Sequence, residues 1–550
     1  MTRIIKKALP VCLLAAGAFA ADNIPTHVPS ANPKALGIVA PNVLSPELFQ
    51  TPVATGSFKL ENPSGIFTHY GYNSFPVGAA MIPTAPGSKT EWNKTEPDKN
   101  TYLILKKQRG TDPSYDYGRH FLFQGHETGV SGYLTRINLD ADSAHKVTLM
   151  ATTETSGAAL PVFDGSTWYP FSQRLLLTSE GSLGGGVWQF SLDVPSKVAN
   201  LTGIMGQGGF EGIQSDSQGR LMIVEDSGGS AGAVNNFAKR PNSFVFRFLP
   251  YDKSDLLKGG ILQALQVKSL DGTPMSFNKG GSADADVLSQ DVKDLHTYGK
   301  SFQTTWIQLH DTKTDGTAPF NANALAKTLK ATPFKRPENG QFRPGSGFSE
   351  FIFDETGDTD ARSQANGPYG GYGSILRLRL TDDVHGVLSL VYLGDQVHTA
   401  FDNCSFWDEH RIVFVEDAGD TLHTQRNGLD SAWLFDLNTN YSSGAQPIRV
   451  LAQGRDASAT LDSMILTVGG FTGTFNNEGD NEVTGWHQSD GDPTASGLLG
   501  AKIPKPFRNG WRLFYTQQHG DNNTFEILSN DDVDDDDSHD HGHGRDNDDD

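Results

Sequence analysis

The chain has very little cysteine. Of its 550 residues only Cys12 and Cys404 are cysteines, and Cys12 falls in a segment that we expect to be removed on export. A single remaining thiol excludes an intrachain disulfide in the mature protein. The folded chain must therefore be stabilised by its hydrophobic core or by bound ions.

Positive charge and long hydrophobic runs are also scarce. Lys and Arg number 44 against 65 Asp and Glu, which gives a formal net charge of −21. Such an acidic chain is a poor match for nucleic acid or for an anionic membrane surface. Residues 8–16 form an apolar run that is too short to cross a bilayer, and no later stretch is apolar enough, so no membrane span is predicted.

The apolar run instead predicts a signal peptide over residues 1–20. Arg3, Lys6 and Lys7 precede it, and residues 18–20 (AFA) fit a small-x-small cleavage site. No pair of adjacent arginines stands before the run, so the signal is of the Sec type. We therefore expect a soluble protein that is exported to the periplasm or beyond the cell.

Glycine, proline and strand-prone phrases are plentiful. Sixty Gly, 28 Pro and few long helical periodicities favour an all-β protein with many turns. One phrase occurs twice, as FEGIQSDSQGRLMIVED in residues 210–226 and as FDNCSFWDEHRIVFVED in residues 401–417. Each predicts a strand, a polar turn and a second strand that ends in carboxylates. Such recurrence indicates a repeat architecture.

Six β modules of this kind predict a six-bladed β-propeller over residues 59–528, since a blade takes about 40–50 residues. A two-sheet sandwich suits the length less well, because its usual size is about 100 residues. Residues 252–332 contain helix-compatible stretches and are predicted to form a helical insertion between blades. Residues 21–58 are predicted to be an extended N-terminal segment, and residues 529–550 a disordered acidic and His-rich tail.

Carboxylates recur at the ends of the predicted strands. They are Glu127, Glu180, Glu211, Glu225, Asp226, Glu338, Glu416, Asp417 and Glu482. A propeller directs one set of strand ends toward its axis, where converging carboxylates repel one another unless cations are bound. Oxygen ligands favour hard ions, Ca²⁺ first and Mg²⁺ or Mn²⁺ next. The alternative is that each acid caps a turn on the surface.

Arg336-Pro337-Glu338 adds a cation to these acids. In an extended chain Arg336 and Glu338 lie on the same side. A guanidinium beside a metal-binding carboxylate is the arrangement expected where a phosphate oxygen binds, and a surface ion pair is the alternative.

Several short motifs follow one another in order over residues 121–520. They are Gly125-His126-Glu127, Thr178-Ser179-Glu180, Phe210-Glu211-Gly212, Phe246-Arg247-Phe248-Leu249-Pro250, Arg336-Pro337-Glu338, Glu482-Val483-Thr484-Gly485 and Gln518-His519-Gly520. Together these motifs resemble the PhoX-type alkaline phosphatase family. The resemblance implies an exported, calcium-dependent, six-bladed propeller that hydrolyses phosphate esters.

The resemblance also implies a mixed iron and calcium centre on the propeller axis. It assigns Glu211 and Glu338 to the metals and Arg336 to the phosphate. The calcium ligands, or the residues that support them, are then Glu127, Glu180 and Glu482.

Three departures from the family pattern bear on the metals. The family places a Cys thiolate just ahead of the Thr-x-Glu segment, and this chain has Asp164 at about that place. It has Gly125 where many members have Asn, and a Sec-type signal where many have a twin-arginine signal. Exchanging a thiolate for a carboxylate shifts the metal preference toward Ca²⁺, Mg²⁺ or Mn²⁺. We therefore expect several Ca²⁺ ions with Asp164 among their ligands, and a weaker case for Fe³⁺.

The sequence thus predicts a monomeric phosphatase for small phosphate esters, with Arg336 and His519 as catalytic residues. A purely structural His519 is the alternative for that residue. Two other functions stay open: a calcium-dependent propeller esterase, lactonase or phytase-like hydrolase, and a non-catalytic, calcium-stabilised binding propeller. Residues 228–232 match the nucleophile motif G-x-S-x-G, but that motif needs a strand–turn–helix setting. Little helix is predicted after it, so we expect a flexible loop there.

Overall fold

The computed structural model describes residues 24–35, 40–73, 93–127, 131–234, 236–454, 482–518 and 522–530. The predictions for the signal peptide, for His519 and for the tail beyond residue 530 lie outside these residues. The described chain is nearly all β and contains few helices, as predicted.

The described residues form 30 strands and six short α-helices. Strands β1 to β10 are Val43–Leu44, Leu48–Ala54, Lys59–Ser64, Phe67–His69, Tyr72–Asn73, Asn93–Lys94, Pro97–Ile104, His120–His126, Leu134–Asn138 and Val147–Ala151. Strands β11 to β20 are Ser166–Tyr169, Arg174–Ser179, Gly186–Phe190, Val198–Asn200, Phe210–Ser215, Leu221–Glu225, Val245–Pro250, Gly260–Val267, Ser301–Asp311 and Gly340–Phe342. Strands β21 to β30 are Glu350–Glu355, Ser374–Leu380, His385–Leu393, Phe401–Phe406, Arg411–Glu416, Ser431–Asp436, Ile448–Ala452, Val483–Ser489, Arg512–Gln517 and Asn523–Ser529. Helices α1 to α6 are Thr202–Met205, Ala283–Val287, Gln290–Leu295, Thr312–Asp315, Ala322–Thr328 and Gly419–Arg426.

The strands assemble into antiparallel sheets. Four sheets have four or five strands and act as blades; they consist of β7 to β10, of β11 to β14, of β24 to β27 with β1, and of β28 to β30 with β2. One larger sheet has nine strands in the order β15-β16-β17-β18-β19-β23-β22-β21-β20. A small sheet of β3 to β6 completes the set.

The innermost strands of these sheets form a ring. Strand β7 contacts β11 and β28, β15 contacts β11 and β20, and β24 contacts β20 and β28. The nine-stranded sheet therefore bends until its two end strands meet, so that it nearly closes on itself. The fold is a propeller-like arrangement of four blades plus this nearly closed sheet, and the prediction is confirmed to that extent, not as six separate blades.

Two predicted segments contribute to the sheets. Strands β1 and β2 lie within residues 21–58, and they pair with β27 and β30 near the other end of the described chain. Residues 252–332 contain α2 to α5, but also β18 and β19, and β19 pairs with both β18 and β23. Among the helices of the described residues, none has the length and apolarity that crossing a membrane requires.

The two repeated phrases fold as predicted. Each forms an antiparallel pair, β15 with β16 and β24 with β25. Phe210 pairs with Glu225, and Phe401 pairs with Glu416 at the equivalent position. In both pairs the register then shifts through a β-bulge. The sequence repeat therefore corresponds to a structural repeat.

Apolar side chains fill the spaces between neighbouring sheets. Phe121 in β8 and Leu177 in β12 belong to one buried cluster. Cys404 belongs to another, together with Phe401 and Phe414. Cys404 therefore packs as a small apolar residue.

Candidate metal centre

β-bulges turn acidic residues toward the axis at the start of three inner strands. The register shifts just after Pro97 in β7, Phe210 in β15 and Phe401 in β24. The residue that follows each of these positions is acidic: Asp98, Glu211 and Asp402. Because a bulge bends its strand and re-aims a side chain, three acids that belong to different sheets approach one another.

A second set of acids follows the strands that pair with the inner ones. They come directly after β8, β12, β16 and β25, as Glu127, Glu180, Asp226 and Asp417. The last residue of a strand and the one after it lie on opposite faces. Accordingly, Glu225 turns away and accepts hydrogen bonds from the Phe244 backbone at 3.1 Å and from Asn323 at 2.9 Å.

Seven carboxylates converge in three overlapping groups, which we call the axial cluster. The groups are Asp98, Glu127 and Asp164; Asp164, Glu180 and Glu211; and Glu211, Asp226 and Glu338. Within each group one oxygen from every residue lies within 4.8 Å of the others. Five of the six predicted metal ligands are thereby brought together, namely Glu127, Asp164, Glu180, Glu211 and Glu338.

The sixth predicted ligand, Glu482, lies near the same cluster. Burial raises its pKa well above the ordinary value, and the charges of Asp417, Asp402 and Glu127 raise it further. Among the described residues it belongs to none of the three groups. Its position suits a supporting role more than direct contact with those groups.

Burial dominates the electrostatics of the axial cluster. It raises the pKa of Asp98 to about 6, and the neighbouring Asp402 adds to the effect. It also raises the pKa values of Glu127 and Asp164 well above their ordinary range, with Asp98 as the next contributor in both. These carboxylates cannot all be ionised in the folded protein without added positive charge.

Arg336 contacts the cluster through two carboxylates. Its Nε lies 2.9 Å from Asp226 Oδ1 and its Nη2 lies 2.7 Å from Asp226 Oδ2, a two-pronged contact. The same Nη2 lies 2.8 Å from Glu338 Oε1. Arg336 has a φ of 60°, which a non-glycine residue rarely adopts. Arg336 and Glu338 lie side by side, although the backbone at Arg336 is not extended as the prediction assumed.

Lys99 is a second cation beneath the cluster. It is 2% exposed, and its Nζ donates to Asn339 Oδ1 at 3.3 Å and to the Cys404 carbonyl at 3.5 Å. Asn339 in turn donates from Nδ2 to Glu211 Oε1 at 3.1 Å. Lys99 and Asn339 therefore fix the orientation of Glu211.

Two glycines explain how close the inner strands come. A Cβ on Gly165 would lie 2.1 Å from the carbonyl oxygen of Glu211, so the backbone beside Asp164 approaches Glu211 only because no side chain intervenes. A Cβ on Gly125 would lie 2.6 Å from the Cβ of Phe163. A residue with a side chain at position 125 therefore does not fit this packing.

Several residues of the centre were not assigned from the sequence. Asp226 and Asp417 were recognised as strand-end acids but given no role, and the repeated phrase was the signal that marked them. Asp98, Asp402 and Lys99 were missed. Asp402 occupies the position of Glu211 in the repeat, so aligning the two phrases identifies it, whereas nothing local distinguishes Asp98 or Lys99.

Comparison with protein-family models and with curated protein sequences found no match. Comparison with solved structures did find matches. Pseudomonas fluorescens PhoX, solved in complex with vanadate, a transition state analogue, aligns with a TM-score of 0.54 at 12% identity, over 92% of this chain and 98% of that chain. The chain has a PhoX-like fold. At this identity the likeness shows the fold alone.

Two further solved structures align with TM-scores that are too low to indicate a shared fold. Chaetomium thermophilum Sqt1, bound to the N-terminus of the ribosomal protein L10, aligns with a TM-score of 0.30 at 10% identity, over 80% of this chain and 72% of that chain. The PQQ-bound aldose sugar dehydrogenase of Streptomyces coelicolor aligns with a TM-score of 0.25 at 11% identity, over 74% and 99%.

Proposed function

We propose that this protein is an exported, metal-dependent phosphatase that hydrolyses small phosphate esters at the axial cluster. The observation that carries the proposal is the contact between Arg336 and a group of buried carboxylates that includes Asp226 and Glu338. Phosphoryl transfer spreads negative charge over several oxygens, and cations together with an arginine are the usual means of stabilising it. The PhoX-like fold supports the same conclusion.

The donors of the axial cluster fit hard cations. Every member of the three groups is a carboxylate, and oxygen donors are what Ca²⁺ prefers. Asp164 Oδ1 is buried and has no hydrogen-bond partner among the described residues, which leaves it available as a ligand. We infer that Ca²⁺ is the first candidate and that Fe³⁺ is the weaker one, because Asp164 takes the place of a thiolate.

The residues of the axial cluster and Arg336 have different roles in the proposed reaction. Asp98, Glu127, Asp164, Glu180 and Glu211 hold the cations. When bound, these cations would supply Lewis-acid stabilisation of the phosphoryl group and an activated water. Arg336 binds a phosphoryl oxygen and offsets the developing negative charge. Asp226 and Glu338 hold Arg336 in place and complete the ligand set.

The nine-stranded sheet is best interpreted as two blades joined by β19. Its halves, β15 to β18 and β20 to β23, each start at the ring of inner strands. Together with the other four blades they make the six-bladed propeller that the sequence predicts. The acids that approach the axis from different blades then form one site.

The test is hydrolysis of p-nitrophenyl phosphate by the purified mature protein, with Ca²⁺ and after chelation, with elemental analysis of the same sample. We expect turnover that requires Ca²⁺ and no stoichiometric iron. Asp164→Asn is expected to reduce both turnover and the bound calcium. Asp383→Asn is the matched control, because Asp383 is exposed and pairs with Arg220.

Absence of turnover from calcium-loaded protein would contradict the proposal. Hydrolysis of p-nitrophenyl acetate would then favour the esterase or lactonase alternative. Bound calcium without turnover of either substrate would favour the non-catalytic binding propeller.

A further inference from the structure

Lys239 lies on a loop that leaves the axial cluster and returns to it. The loop begins directly after Asp226, and Asn242 Nδ2 ties its two ends together by donating to the Ser227 carbonyl at 3.0 Å. Ser243 then forms a bridge with Phe334. The returning part of the loop, which carries Lys239, therefore runs beside the segment that carries Arg336.

The backbone of Lys239 is hydrogen-bonded, whereas its ammonium has no ion-pair partner among the described residues. Its N–H donates to Asp358 Oδ1 at 3.2 Å. Lys335 Nζ lies 2.9 Å from both oxygens of the same carboxylate, so Lys335 has an ionic partner of its own. No carboxylate among the described residues lies within ion-pair distance of the Lys239 ammonium.

Lys239 therefore lies on a segment next to that of Arg336, close enough for the two charges to interact. Burial lowers the pKa of Lys239, and the positive charge of Arg336 lowers it further, while Asp358 and Asp226 act in the opposite direction. Like charges held near each other in a half-buried place are unfavourable unless an anion binds between them. Arg336 has two carboxylate partners besides the phosphoryl group that we assign to it, whereas Lys239 has no ion-pair partner among the described residues and can pair with a further negative group.

We propose that Lys239 binds a second negative group on the substrate, so that the preferred substrates are phosphate esters whose leaving group is itself anionic. This inference rests on the proposed phosphatase function. Arg336 lies against the axial cluster, with 18% of its side chain exposed, whereas the loop of Lys239 has exposed residues such as Ser230. On this proposal, the leaving group of a phosphate ester held at Arg336 lies on the side of the loop that carries Lys239.

The experiment compares two anions that are not hydrolysed and that differ by one carboxylate, methylphosphonate and phosphonoacetate. Their binding to calcium-loaded protein is measured by calorimetry. For Lys239→Met we expect phosphonoacetate to bind about tenfold more weakly, the effect of one lost charge contact of about 1.4 kcal/mol, and methylphosphonate to change less than about twofold. Lys239→Arg is expected to retain the preference.

Lys106→Met is the matched control, because Lys106 is exposed and follows β7 at the end remote from Asp98. Equal losses for both anions, no loss for either, or no binding of either to the wild type would overturn the assignment of Lys239. Hydrolysis of p-nitrophenyl phosphate by the wild type is scored separately. If the wild type hydrolyses p-nitrophenyl phosphate but Lys239→Met does not weaken phosphonoacetate selectively, the phosphatase proposal holds and the role of Lys239 is rejected. If Lys239→Met weakens phosphonoacetate selectively but the wild type shows no turnover, the role of Lys239 holds and the phosphatase proposal is rejected.

Discussion

Among the described residues, Arg336 and Lys99 are the two cations in contact with residues of the metal centre, and their contacts differ in geometry. The guanidinium of Arg336 makes a two-pronged contact with Asp226 and a further contact with Glu338. The ammonium of Lys99 donates, within the described part of the chain, to Asn339 and to the carbonyl of Cys404. A planar fork that binds two oxygens at once suits a phosphoryl group, whereas a buried point charge suits a fixed position in the core.

Arg336→Lys keeps the charge but loses the fork. We expect kcat/KM for p-nitrophenyl phosphate to fall by about 10²–10³, the usual effect of losing one donor to the transition state. The melting temperature should change little, because the buried carboxylates keep a cation nearby. Arg220→Lys, which alters an arginine that pairs with Asp216 and Asp383, is the control and should retain full turnover. Undiminished turnover of the Arg336→Lys variant would rule out this role.

Lys99→Met removes the buried cation. Asp98 and Asp354 then lose a charge that favours their ionised forms, and we expect the free energy of unfolding of the chelated protein to fall by about 3 kcal/mol. Saturating Ca²⁺ should recover part of this loss. Urea unfolding with and without Ca²⁺ measures both the loss of unfolding free energy and its recovery. Lys106→Met is the surface control. A loss that calcium does not alter at all would show that Lys99 is independent of the cluster.

At the level of secondary-structure elements, the hairpins β15–β16 and β24–β25 share one arrangement of acidic residues. The surroundings of the buried Glu differ between them. In each, a bulge aims the first acid at the axis, the last strand residue is a buried Glu, and the next residue is an Asp that points back to the axis. The two buried Glu residues differ in their partners. The described donors to Glu225 are neutral, whereas Glu416 lies 2.9 Å from Arg426 and accepts from Trp433 at 2.8 Å.

This difference predicts unequal effects of the same substitution. Glu416→Gln should lower the free energy of unfolding by about 3 kcal/mol, because it leaves a buried arginine short of a partner. Glu225→Gln should change it by less than about 1 kcal/mol at pH 8, because burial raises the pKa of Glu225 to about 7 and its donors are neutral. Urea unfolding of the two variants in parallel is the measurement. Equal losses would contradict the assignment of distinct roles.

At the scale of the whole molecule, bound cations and protons compete for the same buried carboxylates. The folded-state pKa values of Asp98 and Asp417 are about 6 and about 7, against an ordinary 3.8. Between pH 4 and pH 7 the folded state therefore holds protons that the unfolded chain has released. The contribution of these groups to stability is present at low pH and is lost as the pH rises through 6 and 7.

We therefore expect the stabilisation by calcium to grow with pH. The difference in melting temperature between calcium-saturated and chelated protein should be small at pH 5 and reach a few degrees at pH 7.5, since each kcal/mol of stabilisation shifts the melting temperature of a protein of this size by about 1 °C and we expect several ions to bind. Differential scanning calorimetry at both pH values checks this. A difference that is equal at the two pH values would contradict the coupling.

Local sequence patterns predicted some features of this fold and failed to predict others. The alternating apolar residues and polar turns predicted strands and hairpins, and the repeated phrase predicted two matching units, because both depend on neighbours along the chain. Residues 252–332 were predicted as a helical insertion from their composition, but their strands β18 and β19 belong to the nine-stranded sheet. Strand pairing over long distances overrides local propensity there.

Local sequence alone indicated the β class, the repeat, the scarcity of cysteine and the residue types of the axial cluster, including Asp164 and Arg336. The tertiary structure alone decided which acids meet. Asp98 and Asp226 join the cluster while Glu225 and Glu416 do not, because bulges and strand alternation direct neighbouring side chains to opposite faces. Carboxylates that are more than a hundred residues apart approach one another only when the ring of inner strands closes, and no local pattern encodes that closure.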